Sequence, residues 1–425
     1  MLTYPSAGAD SAPARCVTCT SDSRSRPGAI ATARPSSVRD RGEASAATSF
    51  RTTLTTLTGR GLEGAFSRAA RVAMLGSLFL VGPAALAQAN ATVDQKGAFG
   101  EAVVQQTGAQ HRASVVTVSG AVQAIRGNAA RIVQSGTGAD EAVLRQGFGA
   151  TASGADATIE QTGTGGNLAL IEQDVAFGAT RSVSVIMQDG TGNTATTYLS
   201  SEFSLDDQTR IVQLGRNNTA TQVKESAQGG SLTIEQDNSL SASNVGNTAV
   251  QRAHGSTSAT LLIRQIGDGN EAIQDIFDQS SATTLQYGDD NLATMYSLSG
   301  TLNDLRIEQG TAASPANGNV AHLVASGSGN SAVVLQYSDG NWVNAELSDG
   351  ASLSVTQDGL VGSQLVGITG GFIDPSAAAR ISAGSALTLV QTGGGGNIAA
   401  VDLTAGGVAT ITQDGSNNTA LVIQR

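Results

Sequence analysis

From about residue 157 onward, runs recur in which every second position is apolar or small. Each such run ends on a glutamine. Eleven glutamines share this context: Gln161, Gln188, Gln213, Gln236, Gln265, Gln286, Gln309, Gln336, Gln357, Gln391 and Gln413, spaced 21 to 34 residues apart with a mean of about 25. Two residues before them stand Ile159, Ile186, Ile211, Ile234, Ile263, Thr284, Ile307, Val334, Val355, Leu389 and Ile411, all but one aliphatic. Four residues before them the side chain is small or apolar, from Ala157 to Ala409. A spacing of two puts these positions on one face of a β-strand, whereas a helix would spread them around its circumference.

A turn follows each glutamine, often with Gly two residues on, as at Gly163, Gly190, Gly215 and Gly267. Glycine supplies the positive φ that a tight reversal needs. Five or six residues after the Gln comes an asparagine: Asn167, Asn193, Asn218, Asn270, Asn291, Asn341, Asn397 and Asn418. Two residues later stands Ala169, Ala195, Ala220, Ala272, Ala293, Ala399 or Ala420, with Val343 as the exception, and some copies add a Gln four further on, as at Gln173 and Gln424. Even separations place Asn, Ala and this second Gln on one face of a second strand.

The repeat is therefore strand, Gly turn, strand. One such unit cannot bury its own face, but stacked units can. The expected fold is all-β, a β-solenoid of about thirteen or fourteen stacked strand-turn-strand coils, roughly 65 Å tall at a strand spacing of about 4.8 Å. In such a stack Gln lies over Gln and Asn over Asn, so each amide donates to its copy and none is left unsatisfied in an apolar interior. Weaker copies begin near residue 90: Gln95-Lys96-Gly97 leads to Ala102 and Gln106, Gln106-Thr107-Gly108 to Ala113, Gln123 to Asn128, Ala130 and Gln134, and Ala142 to Gln146. The stretch 365–384 contains Pro375 and falls in the one interval of 34 residues, so it reads as a loop that leaves the stack.

Composition fits a thin repetitive core. Aromatics make up 4 % of the 425 residues and charged side chains 14 %, while Gly occurs 52 times. Residues 1–87 hold ten Arg and five acids; removing them from totals of 24 and 35 leaves 14 basic and 30 acidic residues in 88–425, a formal charge of −16. Such a surface repels phosphate, which argues against nucleic acid and anionic lipid as partners.

The front end reads as a targeting segment. Arg60, Arg68 and Arg71 precede the apolar run VAMLGSLFLVGPAALA at 72–87, which closes on Ala85-Leu86-Ala87. A basic flank, a short apolar core and an A-x-A site describe a secretory signal peptide over 60–87, cleaved between Ala87 and Gln88. The run is short and broken by Gly82 and Pro83, so no stable membrane span is expected. Residues 1–59 are rich in Ser, Arg, Ala and Thr without hydrophobic period and are expected to be disordered. The true start is expected nearer Leu54 or Leu57. Cys16 and Cys19 form a lone CxxC with no second pair and no nearby His, so no metal site is expected. The remaining chain, 88–425, is one repeat domain.

The runs QDGTGNTA at 188–195 and QIGDGNEA at 265–272 resemble the curlin repeat, Ser, five residues, Gln-x-Gly-x-x-Asn-x-Ala, three residues, Gln. The leading Ser matches at Ser182, Ser280 and Ser385, while Gly, Ala, Asn or Asp stands there elsewhere. The resemblance covers most of 90–425. It implies a secreted β-solenoid subunit of curli-type fibres, functional amyloid of a Gram-negative-type biofilm matrix, acting in cell adhesion at the cell surface. It implies as partners further copies of the chain, other curli-type subunits and an outer-membrane export pore, and it makes the Gln and Asn ladders the self-assembly sites.

Other chemistries find little footing. His111, His254 and His322 fall at different places in the repeat, and no Ser-His-Asp, HExxH or P-loop pattern occurs, so neither an enzyme nor a cofactor is expected. Asp189, Asp237, Asp268, Asp289, Asp290, Asp339, Asp358 and Asp414 crowd the turns, but without the Gly/Asp nonapeptide pattern of Ca²⁺-binding β-rolls. They read as solvated turns or as gatekeepers whose stacked charges slow assembly. The runner-up function is a monomeric β-solenoid surface adhesin that binds a host or carbohydrate ligand.

Overall fold

The alternation folds as strands throughout. The computed structural model describes residues 89–425 apart from 97–100, 109, 119–127, 148–153, 176–181, 202–205, 226–229, 242, 256–258, 280, 360–361 and 405. The expected extension (1–59), the signal peptide (60–87) with its Ala87–Gln88 cleavage site, the Cys16–Cys19 pair, Gly97, Gln123 and Ser280 lie outside the described residues. Among the described residues there are 29 strands and no helix.

Successive strands alternate between two sheets, one of 16 strands and one of 13. Each coil of the β-solenoid contributes a strand to both. Stacking is parallel and in register. In the 13-stranded sheet Leu232-Ile234-Gln236 lies beside Leu261-Ile263-Gln265, which lies beside Ala282-Thr284-Gln286. In the other sheet Ala220, Ala249, Ala272 and Ala293 lie side by side. We call these the Gln sheet and the Asn sheet, after the amide that each carries.

Strand Thr260–Ile266 shows how the pattern sorts. Leu261, Ile263 and Gln265 are buried, whereas Thr260 and Arg264 are exposed. Small Ala and larger Ile or Leu side chains from both sheets line the interior. Ile132, Ile159, Ile186, Ile211, Ile234 and Ile263 have no exposed surface. Branched side chains at every second position favour strand and, repeated coil after coil, bury a continuous column.

The stretch expected to leave the stack does so in the middle of a strand. Gln364–Thr369 begins as part of the Asn sheet, then turns at Gly370-Gly371 into an antiparallel hairpin with Phe372–Asp374. The chain returns at Ala379–Ile381 and resumes pairing with the same two neighbours. Only residues 367–378 stand outside; the flanking parts of 365–384 are solenoid.

Candidate functional site

The eleven glutamines named from the sequence stand in one column of the Gln sheet, each beside the next. Along most of it the side chains are bonded head to tail. Gln161 Nε2 donates to Gln188 Oε1 at 2.8 Å, Gln188 to Gln213, Gln213 to Gln236, Gln236 to Gln265 and Gln265 to Gln286, all at 2.8 Å. The chain of bonds continues through Gln309 and Gln336 to Gln357 at 2.9 Å. The second N–H of each amide crosses the interior to a backbone carbonyl of the opposite sheet, as from Gln213 to Thr194 and from Gln236 to Thr219. One side chain thus ties a coil to its neighbour and one sheet to the other.

Two further glutamines extend the column below. Gln106 donates to Gln134, and Gln134 to Gln161. Both lie in the Gln sheet; the sequence reads Gln106 both as a second-strand amide and as the leading Gln of the next copy, and Gln134 as a second-strand amide. Above Gln357 the run of bonds stops. Gln357 gives its N–H groups to the carbonyls of Trp342 and Ser363. Gln391 and Gln413 keep their places in the column but bond only to backbone, and their Oε1 atoms have no hydrogen-bond partner.

The asparagines stand at the entrance to each strand of the Asn sheet and work differently. The backbone N–H of one coil donates to the Oδ1 of the Asn below it: Asn193 to Asn167, Asn218 to Asn193, Asn291 to Asn270 and Asn418 to Asn397, at 2.9 to 3.1 Å. Nδ2 reaches the turn carbonyl of the coil above, from Asn193 to Gly215 and from Asn270 to Gly288. Asn247 and Asn319 belong to the same column, receiving N–H from Asn270 and Asn341. Sequence spacing missed them because a longer turn separates each from its Gln. Their Asn-x-Ala signature, Asn247-Thr248-Ala249 and Asn319-Val320-Ala321, is the signal that finds them. A second run, Gln222 to Gln251 to Gln274, also escaped the sequence reading because these stand two rather than four residues after Ala.

The turn glycines are required by proximity as well as by φ. Gly190 has φ +131°, and a Cβ there would lie 1.8 Å from the carbonyl oxygen of Gly215 in the next coil. No side chain fits between coils at that point.

At the start of the Asn column an acid stands in for the amide. Asp140 Oδ1 accepts the Asn167 N–H at 3.0 Å, and Asp140 Oδ2 lies 3.3 Å from His111 Nδ1, with both side chains fully buried. Burial pushes the Asp140 carboxyl above its ordinary value, outweighing the Asn167 bonds and the His111 charge. His254 lies 3.3 Å from Glu225 and 3.4 Å from Asp275 and stacks on Phe277, while His322 meets the edge of Tyr296. The three histidines stay in three separate surroundings.

Among the described residues no group of three or more His, Cys, Asp or Glu is placed to hold a metal ion. No helix among them is long and apolar enough to cross a membrane. No family model matches the chain, and no curated protein matches it.

Proposed function

We propose that this solenoid is a secreted, self-assembling structural protein: a curli-like fibre subunit, or a fibre-associated or nucleating component, of a biofilm matrix that serves cell adhesion. Further copies of the same chain are its main partner, alongside other curli-type subunits and an outer-membrane export pore. It is not an enzyme and needs no cofactor.

The observation that carries this reading is the one-way sense of the Gln column. Every glutamine of the column from Gln106 to Gln336 donates toward the C-terminal side, and every one from Gln134 to Gln357 accepts from the N-terminal side. One face of each coil in this run therefore offers amide N–H and the other offers amide C=O, so such a coil meets complementary groups only head to tail. Strand edges that remain unpaired at the end of a stack are templates for further pairing.

The test is incubation of the purified protein at micromolar concentration, followed by thioflavin fluorescence with electron microscopy at the endpoint. Unbranched fibres that seed fresh monomer support the reading, and Gln188→Leu is expected to lengthen the lag. A β-rich monomer that never seeds would remove it.

A further inference from the structure

We propose that the outer face of the Asn sheet between Phe277 and Trp342 is a binding platform for a neutral polysaccharide chain. The proposal does not depend on whether the coils stack between molecules.

Four rings lie on one diagonal of this face. Tyr296 sits one strand above Phe277 and two residues back, because Asp275 is the residue that pairs with Tyr296. His322 takes the same step from Tyr296, since Thr294 pairs with His322. Trp342 takes it again from His322, since Val320 pairs with Trp342. Each step is one strand across and two residues along, about 8 Å on a sheet of ordinary dimensions. Tyr296 and His322 touch edge to face with ring centroids 5.8 Å apart. Phe277 and Trp342, at the two ends, are 37 % and 41 % exposed.

The two middle strands of the face are uncharged, in a chain of net charge −11. The outward residues of the two strands carrying Tyr296 and His322 include Leu292, Thr294 and Val324, with no Asp, Glu, Lys or Arg among them. Burial lowers the pKa of His322, which keeps that ring neutral. Charges reappear on the two end strands, with Glu271 and Asp275 on the strand of Phe277 and Glu346 on that of Trp342; Arg252 lies 3.7 Å from Asp275 and Arg380 3.9 Å from Glu346. On the opposite sheet the strand following Tyr296 in the chain carries Asp304, Arg306 and Glu308.

A row of rings, separated by neutral groups such as Thr294 and Asn344, suits a polymer with flat C–H faces and hydroxyl edges. The electron-rich ring face attracts polarised C–H groups, and the hydroxyls find uncharged donors and acceptors beside it. Nucleic acid bases also stack on such rows, but they come with phosphate and need basic side chains alongside. A second copy of the chain is disfavoured by area. Four strands over seven residues span roughly 400 Å², about half of the ~800 Å² per partner in a stable protein pair.

Trp342 is the single tryptophan of the chain, so its emission reports directly on this face. The experiment titrates the whole protein with hexasaccharides of glucose, N-acetylglucosamine and galactose, with alginate and single-stranded DNA as polyanion controls. We expect a saturable emission change with at least one neutral hexasaccharide and none with the polyanions. Tyr296→Ala, which keeps the reporter, is expected to weaken binding at least tenfold, and Tyr296→Phe to restore most of it. Thr233→Ala, on the opposite sheet, is expected to leave binding unchanged. The proposal is overturned if no neutral hexasaccharide gives a saturable change, or if Tyr296→Ala binds like the parent. An emission shift that follows protein concentration alone would overturn it in favour of a second copy, and a stronger response to DNA would overturn it in favour of base stacking.

Discussion

Lys224 Nζ lies 2.5 Å from Asp207 Oδ1, and both side chains are fully buried. In its column Lys224 stands between Leu199 and Ala253, where neighbouring coils place apolar groups. Its ammonium spans the interior to meet Asp207 and also donates to the Gly230 carbonyl at 3.1 Å. Breaking such a pair leaves one buried charge without its partner, a loss of about 3–5 kcal/mol, whereas removing both charges together is often neutral. Lys224→Met alone is therefore expected to lower the denaturation midpoint sharply, and Lys224→Met with Asp207→Ala to recover most of the loss. Urea unfolding of the single and double variants measures the difference; equal losses would mean that the pair is not coupled.

The Asp140 carboxyl sets a pH dependence. Its folded pKa is raised above 3.8 by burial. In the window above 3.8 the folded chain binds more protons than the unfolded one, so this group's stabilising contribution is complete below 3.8 and is lost as pH rises through its folded pKa. Asp140→Asn keeps the Oδ1 acceptor for Asn167 and removes the charge. The variant is expected to melt roughly 1–3 °C higher than the parent at pH 7, with the gain vanishing near pH 3.5. Calorimetry at the two pH values decides it.

Position along the Gln column sets the cost of breaking it. Gln236→Leu leaves a Gln213 N–H and the Gln265 Oε1 unpaired in the interior, at about 1–3 kcal/mol for each group. Gln391→Leu removes one bond to the Gln364 carbonyl and an Oε1 that is already unpaired. The first substitution is expected to cost at least twice the second in urea unfolding. Equal costs would show that burial, and not the amide chain, sets the price.

Excising residues 367–378 is expected to leave the solenoid intact. Gln364, Leu365 and Val366 pair with Ile398, Ala399 and Ala400, and Arg380 and Ile381 pair with Asp402 and Leu403. Joining Val366 to Ala379 would therefore make one continuous strand in register, and it would shorten the interval from Gln357 to Gln391 from 34 to 22 residues, inside the range of the others. The melting temperature of the deletion variant is expected to stay within a few degrees of the parent. A large drop would mean that the hairpin itself supports the coil.

The fold was legible because its rule is local. Ile two residues before Gln, a Gly turn, then Asn-x-Ala specify strand, reversal and strand without reference to anything distant. Asn247 and Asn319 were hidden by insertions that stretch the turn while leaving the stack unchanged. Gln222, Gln251 and Gln274 were hidden because a second-strand amide fits at either of two inward positions. Lys224 and His111 could not be placed from the chain alone. Their burial depends on Asp207 and Asp140, residues that in sequence resemble solvated turn acids.

The split strand at 364–381 says something about how each coil acquires its alignment. Its two halves are separated by twelve residues of hairpin, yet both land beside their proper partners. The covalent path between them cannot transmit that alignment, so it comes from the coils on either side, each laying down the next as a mould does. A chain built this way tolerates interruptions wherever the mould is complete, and it can carry new surface features in mid-strand without renegotiating its core.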